Sequence, residues 1–178
     1  CAGESQYLTM LADREIQKRV KGIDIFKYQR ESSVMENKKF DIGIFMNSTW
    51  DGAVLGSNLL FDGNLDWLNQ TLNHIIKHTN HNVIVRQHPA EAHAHMRANV
   101  NYSKELASFL NNERVRFIKA DERVNSYSIL KNVRSVIFST STIGLEAGIF
   151  KKPVLTPSES YITKANLLSV PKTTQEYF

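Results

Sequence analysis

Arg134-Ser-Val-Ile-Phe-Ser-Thr-Ser-Thr-Ile-Gly-Leu-Glu-Ala147 is the stretch on which the fold turns. It opens as an apolar run of β-branched and aromatic residues, the composition of a strand buried on both faces. Four hydroxyl residues then follow, Ser139, Thr140, Ser141 and Thr142. Beyond them Leu145 and Ile149 recur at helical spacing. A strand that passes through a polar turn into a helix is half of a βαβ unit.

The same alternation continues outward in both directions. Towards the N terminus lie the apolar runs Phe40–Met46, Asn82–Gln87 and Val115–Ile118; towards the C terminus lies Pro153–Thr156. Between them Leu65, Leu68, Leu72, Ile75 and Ile76 repeat at helical spacing, as do Leu106, Phe109 and Leu110, then Ile129 and Leu130. This order predicts right-handed crossovers and a parallel sheet with helices on both faces, an α/β, Rossmann-like domain. In such sheets ligands lie outside the carboxyl ends of the strands, where the strand order reverses.

Residues 1–39 differ. Tyr7, Leu8, Leu11 and Val20 predict a helix to about Lys21, and an irregular connection follows. The expected organisation is an N-terminal helix and linker over 1–39 and one domain over 40–178. Pro171–Phe178 has a helix start but no helix body, so the chain reads as stopping mid-element, and its opening Cys1 reads as that of a fragment or processed product. Cys1 is the only cysteine, so neither an internal disulfide nor a Cys-based zinc site is possible. No apolar run approaches the roughly 20 residues that cross a bilayer, and a cytoplasmic place is expected. The 22 Lys and Arg against 18 Asp and Glu give a net charge of +4. That excess suits an anionic ligand or an acidic lipid surface, and is too small and too dispersed to call for nucleic acid.

Polar residues gather after the strands. Arg86-Gln87-His88-Pro89 follows the second, and Pro89, which cannot extend a ladder, leaves His88 at the strand's carboxyl end. There a histidine either donates to a phosphate or ribose or merely caps the turn. Ser139 to Thr142 stand where a helix N-terminus offers N–H groups and positive dipole to an anion. Glu146, four residues after Thr142, does not fit the capping-box spacing, and either accepts from a ribose diol or complements the helix dipole. The loop Asn47-Ser-Thr-Trp50-Asp51 could wrap a diphosphate or acceptor, or plug the core through Trp50. Asn125 or Ser126 can start the next helix, where the main chain could border a nucleobase, and Tyr161 lies in a further polar loop at the same edge. Asn125 and Tyr161 stand, with Asn47, Trp50 and Asp51, as possible substrate contacts. Arg86 and Lys164 could assist an anion or be plain surface charges.

Taken together, Val83-Ile-Val-Arg-Gln-His-Pro-Ala-Glu91, Ser139-Thr-Ser-Thr-Ile-Gly-Leu-Glu-Ala147 and Lys152-Pro-Val154 resemble the capsule polysaccharide biosynthesis glycosyltransferases, over about residues 40 to 160. The His-Pro and Ser/Thr pairing is shared with bacterial sialyltransferases, Kdo transferases and teichoic-acid glycerophosphotransferases. The resemblance implies the donor-binding, C-terminal half of a GT-B fold. It implies His88 on the nucleotide phosphate or ribose, Ser139 to Thr142 on phosphate, and Glu146 on a ribose hydroxyl. The implied partners are a CMP-, CDP- or UDP-linked sugar, a glycan or glycolipid acceptor and a missing N-terminal acceptor domain, with peripheral membrane association of the full enzyme. No metal and no cofactor is expected.

Four alternatives stay open. A nucleotide-sugar epimerase or a glycerophosphotransferase would share the architecture, and a non-catalytic nucleotide-binding domain would keep the fold alone. His88, His93 and His95, with His74 and His78 at helical spacing, prompt metal-dependent hydrolysis, but no Asp or Glu stands in ligand register with them.

Overall fold

The computed structural model describes residues 10–11, 13–19, 21, 39–48, 60–94, 97–160, 163, 168 and 170–178. All five apolar runs are strands: β1 (Phe40–Phe45), β2 (Val83–Arg86), β3 (Val115–Ile118), β4 (Val133–Phe138) and β5 (Val154–Leu155). They form one sheet in the order β3-β2-β1-β4-β5, and every neighbouring pair is parallel. The chain is thus the Rossmann-like α/β domain that the alternation predicts. β1, β2 and β3 step outward to one side, and β4 then returns to the other side of β1. The strand order therefore reverses between β1 and β4, whose register pairs Phe45 with Phe138 and so brings their carboxyl ends level.

Side-chain alternation divides the core between the two faces. Ile44, Val83, Val85, Phe117 and Ile137 pack with Trp67, Leu68, Leu72 and Ile75 of helix α1 (Asn64–His78). Phe45, Ile84, Ile118, Val136 and Phe138 pack on the opposite face. There they meet Ile129 and Leu130 of α4 (Ser126–Asn132) and Ile143 and Ala147 of α5 (Ile143–Ile149). Ile16, in a helical stretch over 13–19, joins this second cluster. Tyr7, Leu8 and Val20, on which the N-terminal helix was also expected to rest, lie outside the described residues.

Two expectations change in detail. Leu106, Phe109 and Leu110 belong to two single turns, α2 (Tyr102–Glu105) and α3 (Ala107–Leu110), separated where the Leu106 backbone opens to φ −95°, ψ 8°. In α5 the pair Leu145 and Ile149 faces outward, at 36% and 42% exposure, while Ile143, Gly144 and Ala147 face the sheet. Small residues win the inner face because Gly144 lies directly on the Phe138 ring. A Cβ there would stand 2.5 and 2.6 Å from two ring carbons and closer still to a third. The helix start read in Pro171–Phe178 is α6 (Thr174–Tyr177), capped by the Thr173 hydroxyl, which accepts from Glu176 N–H at 3.1 Å. Tyr177 anchors it on α1: its hydroxyl accepts from Trp67 Nε1 at 2.8 Å and lies 3.1 Å from Thr71 Oγ1.

Candidate functional site

The carboxyl ends of β1, β2 and β4 border a cleft of about 520 Å3, its mouth included. β1 contributes Phe45 and the adjoining Met46, β2 and its turn contribute Arg86, His88 and Pro89, and α4 contributes Ser126 and Tyr127. The start of α5 adds Ser141, Thr142, Ile143 and Glu146, and the N-terminal helical stretch adds Arg19. His88 and the hydroxyl turn before Ile143, some fifty residues apart in sequence, thus line one cleft at the point where the strand order reverses.

His88 has the extended backbone that a following proline favours (φ −62°, ψ 125°). Its Nδ1 accepts from Ala90 N–H at 3.3 Å, capping the 3-10 turn Pro89–Ala92. In the neutral ring this places the proton on Nε2, which becomes the donor nitrogen. His88 therefore caps the turn and also lines the cleft.

The four hydroxyls divide into two pairs. Ser139 and Thr140 are buried and lie outside the cleft lining. Ser139 Oγ pairs with Ser158 Oγ at 3.2 Å, and Thr140 Oγ1 accepts from the Asn47 amide, whose Oδ1 in turn accepts from Thr140 N–H at 3.1 Å. Asn47 therefore fastens the end of β1 to the end of β4 and is not itself in the cleft. Ser141 and Thr142 line it. Thr142 occupies the N-cap position of α5 with helical backbone and makes no side-chain cap. The first-turn N–H groups are already taken: Ile143 N–H reaches Ser141 Oγ at 3.4 Å, Gly144 N–H the Ser141 carbonyl, and Leu145 and Glu146 N–H the Thr142 carbonyl. An anion here would meet hydroxyls before it met helix amides, in contrast to the expectation of open N–H groups.

Arg86 is not the surface charge that its position allowed; it is only 2% exposed. Alternation along β2 turns it to the face of Ile84, and its guanidinium donates to the carbonyls of Lys119, Val124 (3.2 Å) and Glu122 (3.4 Å). Burial pulls its pKa down to about 10, with Glu122 and Asp121 opposing, so it stays charged at neutral pH. Its Nε is buried with no partner. Arg86 both braces the β3–α4 loop and lends positive charge to the cleft wall.

Glu146 is 6% exposed and ion-paired with Arg19. Burial raises its pKa, while the charge of Arg19 and hydrogen bonds from Tyr127 and Arg19 oppose the rise. Burial likewise pushes the Tyr127 hydroxyl up. For Arg19 burial acts downward, but Tyr127 and Glu146 outweigh it and the net shift is upward. Of the charged residues that line the cleft, two are arginines, Arg19 and Arg86, and one is a carboxylate, Glu146, so its lining is positive on balance. Asn125 caps α4, its Oδ1 accepting from Tyr127 N–H at 2.8 Å, and so sets Tyr127 in place. Arg19 is the residue that the sequence did not disclose; only the folded chain brings it to Glu146, 127 positions away.

Trp50, Asp51, Tyr161, Lys164 and His95 lie outside the described residues. His74 and His78 belong to α1, where His74 stacks on Phe178 with ring centres 4.5 Å apart; burial, then His78, lowers its pKa. Among the described residues no three His, Cys, Asp or Glu side chains gather as a metal site, and no helix is long and apolar enough to cross a membrane.

The model of the family described as "Capsule polysaccharide biosynthesis protein" matches residues 2–162. No curated protein matches the chain. Among solved structures it is similar to Thermosulfurimonas dismutans KpsC, a beta Kdo 2,4 transferase, at a TM-score of 0.58 and 15% identity. The likeness covers 97% of this chain and 51% of that one, so the chain spans about half the length of that structure. At this identity the likeness is one of fold.

Proposed function

Because the chain belongs to the capsule polysaccharide biosynthesis protein family, we propose that residues 40–178 are the nucleotide-sugar-binding domain of a glycosyltransferase that builds a bacterial surface polysaccharide. The observation that carries this reading is the convergence of His88 with Ser141 and Thr142 in one positively charged cleft at the strand-order reversal. In this reading His88 Nε2–H donates to a phosphate or ribose oxygen, and the Ser141 and Thr142 hydroxyls donate to phosphate. Arg86 and Arg19 supply charge, and Glu146 accepts from ribose. Donors fixed before the reaction stabilise the negative charge that gathers on the departing phosphate as the glycosidic carbon leaves it. A departing CMP, CDP or UDP fits that description. The acceptor, a glycan or glycolipid, would be presented by a further domain in a GT-B arrangement. The half-length match to a two-fold longer transferase supports such a partner half.

The test is titration of the folded chain with CMP, CDP and UDP, followed by calorimetry or ligand-detected NMR. At least one is expected to bind at millimolar concentration or tighter. His88→Ala should weaken it by about tenfold, the effect of one lost hydrogen bond to a charged group. Failure of all three nucleotides to bind the unsubstituted chain would remove the basis of this reading.

A further inference from the structure

The Glu146 carboxylate, one turn into α5, is held from two directions. Arg19 Nη1 makes an ion pair with it, the Tyr127 O–H donates to it, and Arg19 also donates to Tyr127. Three side chains from three elements (the helical stretch over 13–19, α4 and α5) close a triangle in the wall of the cleft. The Arg19 side chain is 29% exposed and that of Glu146 8%. The pair is therefore largely withdrawn from water while both members line the cleft.

A buried carboxylate without a charge partner drifts towards its neutral form, and a neutral acid is a poorer acceptor. A carboxylate has about four lone-pair sites; with Arg19 and Tyr127 on two, two remain for further donors. A ribose offers two adjacent hydroxyls. The arrangement is thus matched to a diol, provided that the carboxylate is charged and its plane fixed.

Resting on the nucleotide reading above, we propose that Arg19, from the helical stretch over 13–19, is a positioning residue of this site, orienting the Glu146 carboxylate as a charged acceptor for the paired hydroxyls of a ribose. The groups that face Glu146 are Arg19 from the N-terminal stretch and Tyr127 from α4, with Arg86 and His88 from the end of β2 in the same cleft. Removing Arg19 takes away the nearest positive charge. Glu146 then holds its proton to higher pH, and ribose recognition fades as the solution is acidified.

The experiment measures the affinities of CMP, CDP and UDP and of their 2′-deoxy counterparts for the whole chain and its variants, from pH 6 to 8. The unsubstituted chain should prefer the ribonucleotide by about tenfold, the value of one charge-assisted hydrogen bond. Arg19→Gln should reduce that preference to about twofold and make it weaken further below neutral pH. Arg19→Lys keeps the charge without the two-armed geometry and should stand between them, at about threefold. Glu146→Gln should abolish the preference, and adding Arg19→Gln to it should change nothing more, since the two act through one group. Should Arg19→Gln fail to fold, an undiminished preference in Arg19→Lys overturns the proposal. So does an Arg19→Gln protein that loses ribo- and deoxynucleotide affinity in equal proportion, which is what a merely structural arginine would do. If the unsubstituted chain binds no nucleotide, the nucleotide reading falls and this proposal with it.

Discussion

The two faces of the sheet are built from the same strands and end differently. Under α1, Val83, Val85, Ile44 and Ile137 meet Trp67, Leu68 and Leu72, all three fully buried, and Tyr177 closes the layer through Trp67 and Thr71. Under α4 and α5, Ile84, Phe45 and Phe138 are equally buried, yet the layer opens at its top into the cleft. The helices of the two faces also differ in length. α1 has 15 residues and α4 and α5 have seven each, or roughly 22 Å against 10 Å at 1.5 Å per residue. A six-residue strand spans roughly 20 Å. The first turns of the short helices α4 and α5 line that cleft, and no residue of α1 does. Alternation then decides which polar side chain occupies the gap: in β2, Val85 goes to the closed face and Arg86 to the open one.

The comparison makes a division of labour that can be broken. Leu72→Ala, on the closed face, deletes a fully buried side chain with no room for collapse around Trp67 and Leu68. It should cost about 3 kcal/mol, within the usual range for such a cavity, read as a lower urea midpoint. Nucleotide affinity, measured where the variant is still folded, should stay within about twofold, because neither Leu72 nor any other residue of α1 lines the cleft. Gly144→Ala, on the open face, pushes a methyl into the Phe138 ring, itself fully buried. Overpacking of this kind should cost about 2 kcal/mol. Here affinity should fall as well, by about tenfold, since α5 must shift away from β4 and carries Thr142, Ile143 and Glu146 with it. Equal losses of affinity in both variants would mean that the faces are not separate.

What the sequence discloses follows the same division. The strands were legible because each is a short run dominated by apolar residues, most of them β-branched or aromatic, and such a run survives any error about which face is which. α1 was legible because Leu65, Leu68, Leu72 and Ile75 mark one face of a long helix. α5 is legible as a helix but not in its orientation: in seven residues the outer pair Leu145 and Ile149 looks as apolar as the inner Ile143 and Ala147. What settles its orientation is the space between Gly144 and Phe138, a property of two elements together. At the site, His88 could be placed because Pro89 ends its strand locally. The division of Ser139 and Thr140 from Ser141 and Thr142 could not, since it depends on Asn47 and Ser158 arriving from other strand ends. Arg19 was beyond reach for the same reason: its partner is chosen by packing, and neither residue's neighbours in sequence indicate the other.

The helices on the two faces also finish differently, and the smallest effect tests that. α1 ends at Thr79, in extended conformation, with both Thr79 N–H and Oγ1 donating to the Ile75 carbonyl at 3.0 and 2.8 Å. α5 ends in a Schellman turn: Lys152 N–H reaches the Ala147 carbonyl and Lys151 N–H the Gly148 carbonyl, both at 2.9 Å. That turn needs a left-handed residue, and Lys151 supplies it at φ 54°. A side chain in that conformation costs about 1–2 kcal/mol. Glycine avoids the cost but surrenders about 0.5–1 kcal/mol through the greater freedom of its unfolded chain. Lys151→Gly should therefore stabilise the protein by about 0.5 kcal/mol, seen as a raised urea midpoint at unchanged slope. Lys151→Ala keeps the Cβ and should give no gain, so an equal gain from both would trace the effect to the lost lysine charge instead of the backbone. Lys151 does not line the cleft. Nucleotide affinity should be the same in all three proteins, and a change would show that the end of α5, and not only its first turn, bears on the open face.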